Sequence, residues 1–151
     1  MIPKKILFCT DFSENSIPAR NYAIGLAKAF NSSLAILHVV NSSRLGYPAF
    51  EAGVPFDIQS MLLNIEQSVN DAFSKFLSEF QGQLTEVTTT YKVGSPVAEI
   101  VRFAEENGVD LTVMGTHGWT GFNRLILGST AENVIRIVNC PVLTVKSRDG
   151  N

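Results

Sequence analysis

Residues 111–145 read LTVMGTHGWTGFNRLILGSTAENVIRIVNCPVLTV, and this stretch decides the fold. Leu111 to Met114 is a short apolar run of strand length. It gives way to GTHGWTGFNRLILGST, in which two residues separate Gly115 from Gly118 and nine separate Gly118 from Gly128. Ala131, Val134, Ile135 and Val138 then recur at helical spacing, and Val142 to Val145 is apolar and strand-like again. The order is strand, glycine-spaced loop, helix, strand.

Outward from there, the same alternation fills the chain. Lys4 to Thr10 (KKILFCT) is an apolar run that meets polar Asp11 and Ser13, as a buried strand opening into a loop would. Ala19, Tyr22, Ala23, Leu26, Ala27 and Phe30 trace a helical stripe, with Ser16 placed to cap it and Pro18 tolerated in the first turn. Ser33 to Val40 has the continuous apolar character of a strand covered on both faces. Residues 41–57, punctuated by Gly46, Pro48, Gly53 and Pro55, are predicted to form a long surface loop. The longest helical stripe runs through Ile58, Met61, Leu62, Ile65, Val69, Ala72, Phe73, Phe76, Leu77 and Phe80, and Gln81 with Gly82 ends it. Val87 to Val93 is rich in β-branched residues, and Gly94, Ser95 and Pro96 supply a turn, an N-cap and a first-turn proline. The helix they open bears Val97, Ile100, Val101 and Ala104 and closes at Gly108. Strict alternation of this kind predicts one α/β domain over residues 1–146, a mostly parallel sheet with helices on both faces, and a frayed tail at 147–151.

Composition narrows the function classes. A chain of 151 residues suits one domain, and 45% hydrophobic with 17% charged residues is a globular balance. A formal net charge of -2 offers no basic field for nucleic acid. The apolar run Ile6 to Cys9 is far shorter than a membrane span or signal-peptide core, so a cytoplasmic location with no membrane association is expected. Cys9 ends the first strand and Cys140 precedes the last, which predicts reduced, packed thiols at opposite ends of the sheet. His38 and His117 stand apart from each other and from the thiols, which argues against zinc, and His38 is expected to be a satisfied core histidine.

In an open doubly wound sheet, ligands bind beyond the carboxyl ends of the strands where the winding reverses, here the loops after the first and fourth strands. Asp11 lies on one of them, where a ribose or metal role is favoured; Gly115 to Ser129 form the other. Glycines allow close approach of backbone N–H groups, and Gly128 with Ser129 aims the positive end of the last helix at the same spot. A polyphosphate is the natural occupant. On glycine content alone, a turn and a capped helix account for these residues; their spacing adds more.

The pattern Gly-x2-Gly-x9-Gly-Ser after a VMG strand end resembles the ATP-binding branch of the universal stress protein family. KKILFCTDFSE is similar to the family's first strand and aspartate turn, and LHVV, GVDLTVMGTHG and LILGSTAENVIRIVNCPVLTVK extend the likeness over nearly the whole chain. The resemblance implies a five-stranded doubly wound, Rossmann-like sheet in the order 3-2-1-4-5, with ATP as ligand and Mg2+ or Mn2+ accompanying its phosphates. It implies Thr10 and Asp11 at the nucleotide, and Val39 reading the adenine edge through backbone amide and carbonyl. Met114 would lie at the nucleotide, Gly115 and His117 would border the ribose and phosphates, and Gly118, Gly128, Ser129 and Thr130 would cradle the triphosphate. Arg124 is available to neutralise phosphate charge, and Trp119 and Phe122 to cover the loop or a partner surface. The chain departs from the family at Thr130, where valine is commoner, and at Cys9, where proline is common; neither change removes a backbone donor. The resemblance also implies a homodimer through antiparallel pairing of the edge strand Val142 to Val145.

Two functions stay open at this stage. A binding or signalling module in the stress response, acting on an unknown client protein with little turnover, is favoured because the chain has no GxxxxGKS/T lysine and no second acid paired with Asp11. The alternative is a slow ATPase or self-phosphorylating protein, with Ser129 or Thr130 as acceptor. A phosphoacceptor receiver domain needs an aspartate at the end of the third strand, where Lys92, Val93 and Gly94 stand. A flavodoxin needs a glycine in its first loop, and Thr10-Asp11-Phe12-Ser13 has none.

Overall fold

The computed structural model describes residues 2–45, 57–80, 82, 84, 86–116 and 127–147. Strands β1 (Lys5–Cys9), β2 (Ser33–Asn41), β3 (Val87–Gly94), β4 (Leu111–Gly115) and β5 (Val142–Val145) alternate with helices α1 (Ile17–Phe30), α2 (Ile58–Ser78), α3 (Pro96–Glu106) and α4 (Ser129–Ile137). All five strands are parallel, in the order β3-β2-β1-β4-β5. The chain therefore winds outward from β1 to β3, returns across the sheet, and winds the other way through β4 and β5. The reversal lies between β1 and β4, as the strand pattern and the family resemblance led us to expect.

β1 is the axis of the packing. Ile6 and Phe8 face a layer made by α1 and α2, where Ala19, Ala23, Ala27, Phe73 and Phe76 are buried. Leu7 and Cys9 face the opposite layer, made by α3 and α4 through Ile100, Phe103, Ala104, Ala131 and Val134. Two-residue alternation on a strand covered on both faces gives this division directly.

Three helix details differ from the sequence expectation. In α1 the contact is carried by the alanines at four-residue spacing, whose small side chains let the helix lie close to the sheet; Tyr22 and Phe30 are exposed. Ser16 does not cap α1 with its side chain. It is buried in a short 3-10 turn, Glu14–Ser16, where its hydroxyl donates to the Ser13 carbonyl at 2.7 Å. In α2 only Val69, Phe73 and Phe76 are buried, with Ile65 and Leu77 packed part-buried against the same core, and Phe80 is buried just past the helix end. Ile58 and Leu62 in the first turns are exposed, and Asp57 caps this end by accepting the amides of Gln59 and Ser60. The expected helix end at Gln81 and most of the expected surface loop, 46–56, lie outside the described residues, as does the end of the tail, 148–151.

The thiols are closer than the strand order alone suggests. Cys140 folds back on β4, its Sγ 3.3 Å from the Thr112 hydroxyl, and packs against the same layer as Cys9. Both are free. Burial pushes the Cys9 thiol far up, and the nearby Cys140 adds to the effect. Among the described residues no helix is long and apolar enough to cross a membrane.

α3 closes as expected. The Gly108 amide donates to Glu105 and the Val109 amide to Ala104, with Gly108 at φ +59. Gly25 sits in the middle of α1, and neither glycine has an atom within 4 Å of the place a Cβ would take. The two should therefore respond to alanine with opposite sign. Gly25→Ala removes backbone freedom from the unfolded chain and should raise stability in urea by roughly 0.5–1 kcal/mol. Gly108→Ala forces a side chain into the left-handed region and should lower it by roughly 1–2 kcal/mol.

Candidate functional site

At the carboxyl end of β1, Thr10 N–H donates to the Leu37 carbonyl at 3.0 Å, and the chain then leaves the sheet. The turn that follows is braced by short side chains. Thr10 Oγ1 accepts the Phe12 amide at 2.9 Å and meets the Ser16 hydroxyl at 3.2 Å. Asp11 Oδ1 accepts both the amide and the hydroxyl of Ser13, at 3.0 and 2.6 Å. Phe12 is left-handed at φ 60, a conformation that costs a non-glycine residue roughly 1–2 kcal/mol. Its ring is held between His38 (centroids 4.7 Å) and Phe73 (5.1 Å).

At the end of β4, Thr116 N–H donates to the Val145 carbonyl and Gly128 N–H to the Thr116 carbonyl at 2.8 Å. The two ends of the glycine-spaced segment are thus tied together. Its interior, with His117, Gly118, Trp119, Phe122 and Arg124, lies outside the described residues. Gly128, not Ser129, is the N-cap of α4, and Ser129 is the first helical residue. Gly128 has φ -59 and ψ 145, so its backbone does not demand glycine. What glycine does provide is the absence of a capping side chain. A Ser or Asp there would take the amides of Thr130 or Ala131; with Gly128 they are left for another acceptor.

Both loops open on one cleft of about 460 Å³ between the ends of β1, β2 and β4 and the start of α4. Every described candidate lines it: Thr10, Asp11, Val39, Met114, Gly115, Gly128, Ser129 and Thr130. One end is polar, with Asp11 and the α4 N-terminus; Leu37, Val39, Ile100, Met114 and Ala131 contribute apolar side chains. The sequence pattern missed Arg44, Pro96 and Ile100. Arg44 follows β2 in a 3-10 turn whose start is capped by Asn41, accepting the Ser43 amide; that geometry has no counterpart in hydrophobic periodicity. Ile100 carried a signal as a helix core residue, and it serves as core and cleft wall at once.

For a metal ion the chain's own donors are few. Among the described residues Asp11 is the one carboxylate lining the cleft, and none of them form a cluster of three His, Cys, Asp or Glu. A Mg2+ or Mn2+ here would be carried mainly by oxygens of the bound ligand.

His38 also lines the cleft, half-buried, with Nδ1 2.8 Å from the Thr10 carbonyl. A carbonyl only accepts, so Nδ1 carries the proton. Burial lowers the His38 pKa below its ordinary 6.5, against the Thr10 carbonyl and the Asp11 charge, which raise it. A base with a lowered folded pKa favours folding above its unfolded value, and that stability is lost as pH falls through 6.5 towards the folded value. Asp57 and Asp110 are held low, chiefly by the Ser60 hydroxyl and the Lys5 amide respectively, so their contribution is lost only in stronger acid, below about pH 4. Going from about pH 7.5 to about pH 5.5, the thermal midpoint should therefore fall more for the wild type than for His38→Asn, followed by calorimetry.

Residues 3–146 match the model of the Universal stress protein family. Universal stress protein MJ0531 of Methanocaldococcus jannaschii is 40% identical over 144 residues, 95% of this chain and 82% of that protein. Universal stress protein MJ0577 of the same organism is 33% identical, over 97% of this chain and 96% of its own. The solved structure of MJ0577 superposes with a TM-score of 0.79 at 30% identity, covering 99% of this chain and 100% of that one. A universal stress protein solved in complex with cAMP superposes with a TM-score of 0.61 at 26% identity, covering 96% of this chain and 98% of that one. With the parallel sheet, its reversal point and the tied glycine-spaced segment in place, the chain belongs to the universal stress protein family.

Proposed function

We propose that this protein binds ATP in the cleft and acts as a nucleotide-dependent stress-response or signalling module with little or no turnover, read by a client protein. The observation that carries the proposal is the start of α4 on a residue without a side chain. Gly128 leaves the first amides of a nine-residue helix without a side-chain acceptor, beside Ser129 and Thr130 and facing the cleft. Such a terminus suits phosphate oxygens. The apolar side chains of Leu37, Val39, Ile100 and Met114 suit a purine, and about 460 Å³ is within the usual size of small-molecule sites. The cAMP complex of a relative supports an adenine nucleotide in this family.

Slow turnover follows from what surrounds the polar end. Among the described residues the cleft has no lysine, and its one carboxylate, Asp11, is already engaged by Ser13. Among the described residues a water or hydroxyl nucleophile is left with the His38 ring as its one candidate base, and that ring is held through Nδ1 on the Thr10 carbonyl. The competing reading is a slow ATPase or a protein that phosphorylates itself on Ser129 or Thr130, whose hydroxyls stand at the start of α4.

The quaternary form in this proposal is a homodimer through β5. The Pro141 and Val145 carbonyls accept from Thr112 and Thr116. By two-residue alternation, Val142 and Thr144 turn their N–H and C=O groups away from β4, to the sheet edge. Thr144→Pro deletes an outward donor and leaves the β4 ladder intact. It should shift the light-scattering mass from dimer to monomer, and a wild type already monomeric at micromolar concentration would refute the dimer.

Gly128→Val tests the site. Its extended backbone accepts valine, so dichroism should be unchanged while ATP binding, measured by calorimetry, is lost. Ser129→Ala keeps the amides and the dipole and should cost only about 1 kcal/mol. ATP should bind more tightly than cAMP, which offers the helix terminus a single phosphate. Phosphate release should stay far below the roughly 1 per second at the low end of enzyme turnover. Undiminished ATP binding by Gly128→Val would sink the proposal; fast release, or phosphate found on Ser129 or Thr130, would favour the enzyme reading.

A further inference from the structure

A regular parallel ladder would not end where this one does. Cys9 pairs with Leu37 in register, and Thr10 N–H makes the next bond, to the Leu37 carbonyl. The following rung would run from Val39 N–H back to the Thr10 carbonyl. That rung is not formed; the Thr10 carbonyl is taken by the His38 ring instead, with Nδ1 at 2.8 Å. Leu37 directs its carbonyl at β1, so Val39, two residues on, directs its N–H to the same side, beyond the point where β1 has left the sheet. Val39 lines the cleft. Phe12 keeps the ring in place, packed against it at a tilt of 37° with centroids 4.7 Å apart, and is backed by Phe73.

We infer that His38 is the positioning residue for base recognition: its Nδ1–H takes the Thr10 carbonyl out of the ladder, which releases the Val39 amide as a donor to the ligand's base. This rests on the nucleotide proposal above for the identity of the ligand, but not for the ladder geometry. The ring acts through the backbone and touches no ligand atom in this role. A base presenting a ring-nitrogen acceptor at that amide, as adenine does, is accepted. Guanine presents a ring N–H there, which sets donor against donor and is rejected.

Three variants separate the roles of the ring. His38→Ala removes it, His38→Leu keeps apolar bulk without the donor, and His38→Asn keeps an amide N–H near the position of Nδ1. Amide hydrogen exchange at Val39 in the ligand-free protein reads the ladder directly. The wild type should exchange freely there, His38→Ala and His38→Leu should gain protection as the rung to Thr10 closes, and His38→Asn should stay open. Calorimetry with ATP and GTP reads the consequence. His38→Ala and His38→Leu should lose about tenfold in ATP affinity and most of the preference over GTP, and His38→Asn should restore both. Protection of the Val39 amide in the ligand-free wild type, or no change in the variants, would overturn the inference even if ATP binds. If the wild type binds no ATP, the nucleotide proposal fails, while the exchange measurement still decides the ladder step by itself.

Discussion

The structure depends on one strand being paired on both edges and covered on both faces. β1 lies between β2 and β4, and Ile6, Leu7 and Phe8 are completely buried. Such a strand has no tolerance for an unmatched backbone group or for a side chain of the wrong kind, so its five residues set the register of both neighbours and the position of both helix layers. Its end is equally consequential. β2 runs on to Asn41 while β1 stops at Cys9, and β4 leaves in the opposite winding direction. The cleft is the space that no strand fills after β1 stops.

Around that space, the chain handles its unmatched groups in two ways. On the β1 side the turn is braced locally, by Thr10, Asp11, Ser13 and Ser16 among themselves and by His38 on the Thr10 carbonyl. The left-handed Phe12 is kept by these ties and by its two aromatic neighbours, the kind of support strained residues need in order to persist. On the α4 side the reverse holds: Gly128 leaves the helix start without a side-chain cap. A braced wall that leaves the Val39 amide open, facing a helix terminus without a side-chain cap, gives a preorganised site for an anion joined to an apolar ring.

Much of this was legible in the residues. The alternation of apolar runs and helical stripes gave five strands, four helices and both faces, because burial on a parallel sheet imposes distinct periods on strand and helix. Glycine spacing and Asp11 drew attention to the loops that do border the cleft, because both lie at carboxyl ends of strands beside the winding reversal. Less legible was how much of a stripe would be covered: Tyr22, Phe30, Ile58 and Leu62 have helical periodicity, yet alanines carry the α1 contact and α2 meets the core only from Ile65 onwards. Periodicity gives the direction in which a side chain points but not how far the neighbouring layer extends.

The sequence by itself thus determined the element types, their alternation, the family and the loops at which a ligand site would form, since these follow from local patterning and from a spacing that only a few folds use. The tertiary structure alone decided which groups at that site are already engaged. Ser16 looks like a cap and is a buried brace; Ser129 looks like the cap and Gly128 is; His38 looks like core and holds the carbonyl at which the ladder breaks off. Each outcome depends on a hydrogen-bond partner elsewhere in the fold, most plainly the Thr10 carbonyl met by a ring 28 residues further on. A one-dimensional pattern records that a donor exists, and only packing determines which acceptor lies within reach.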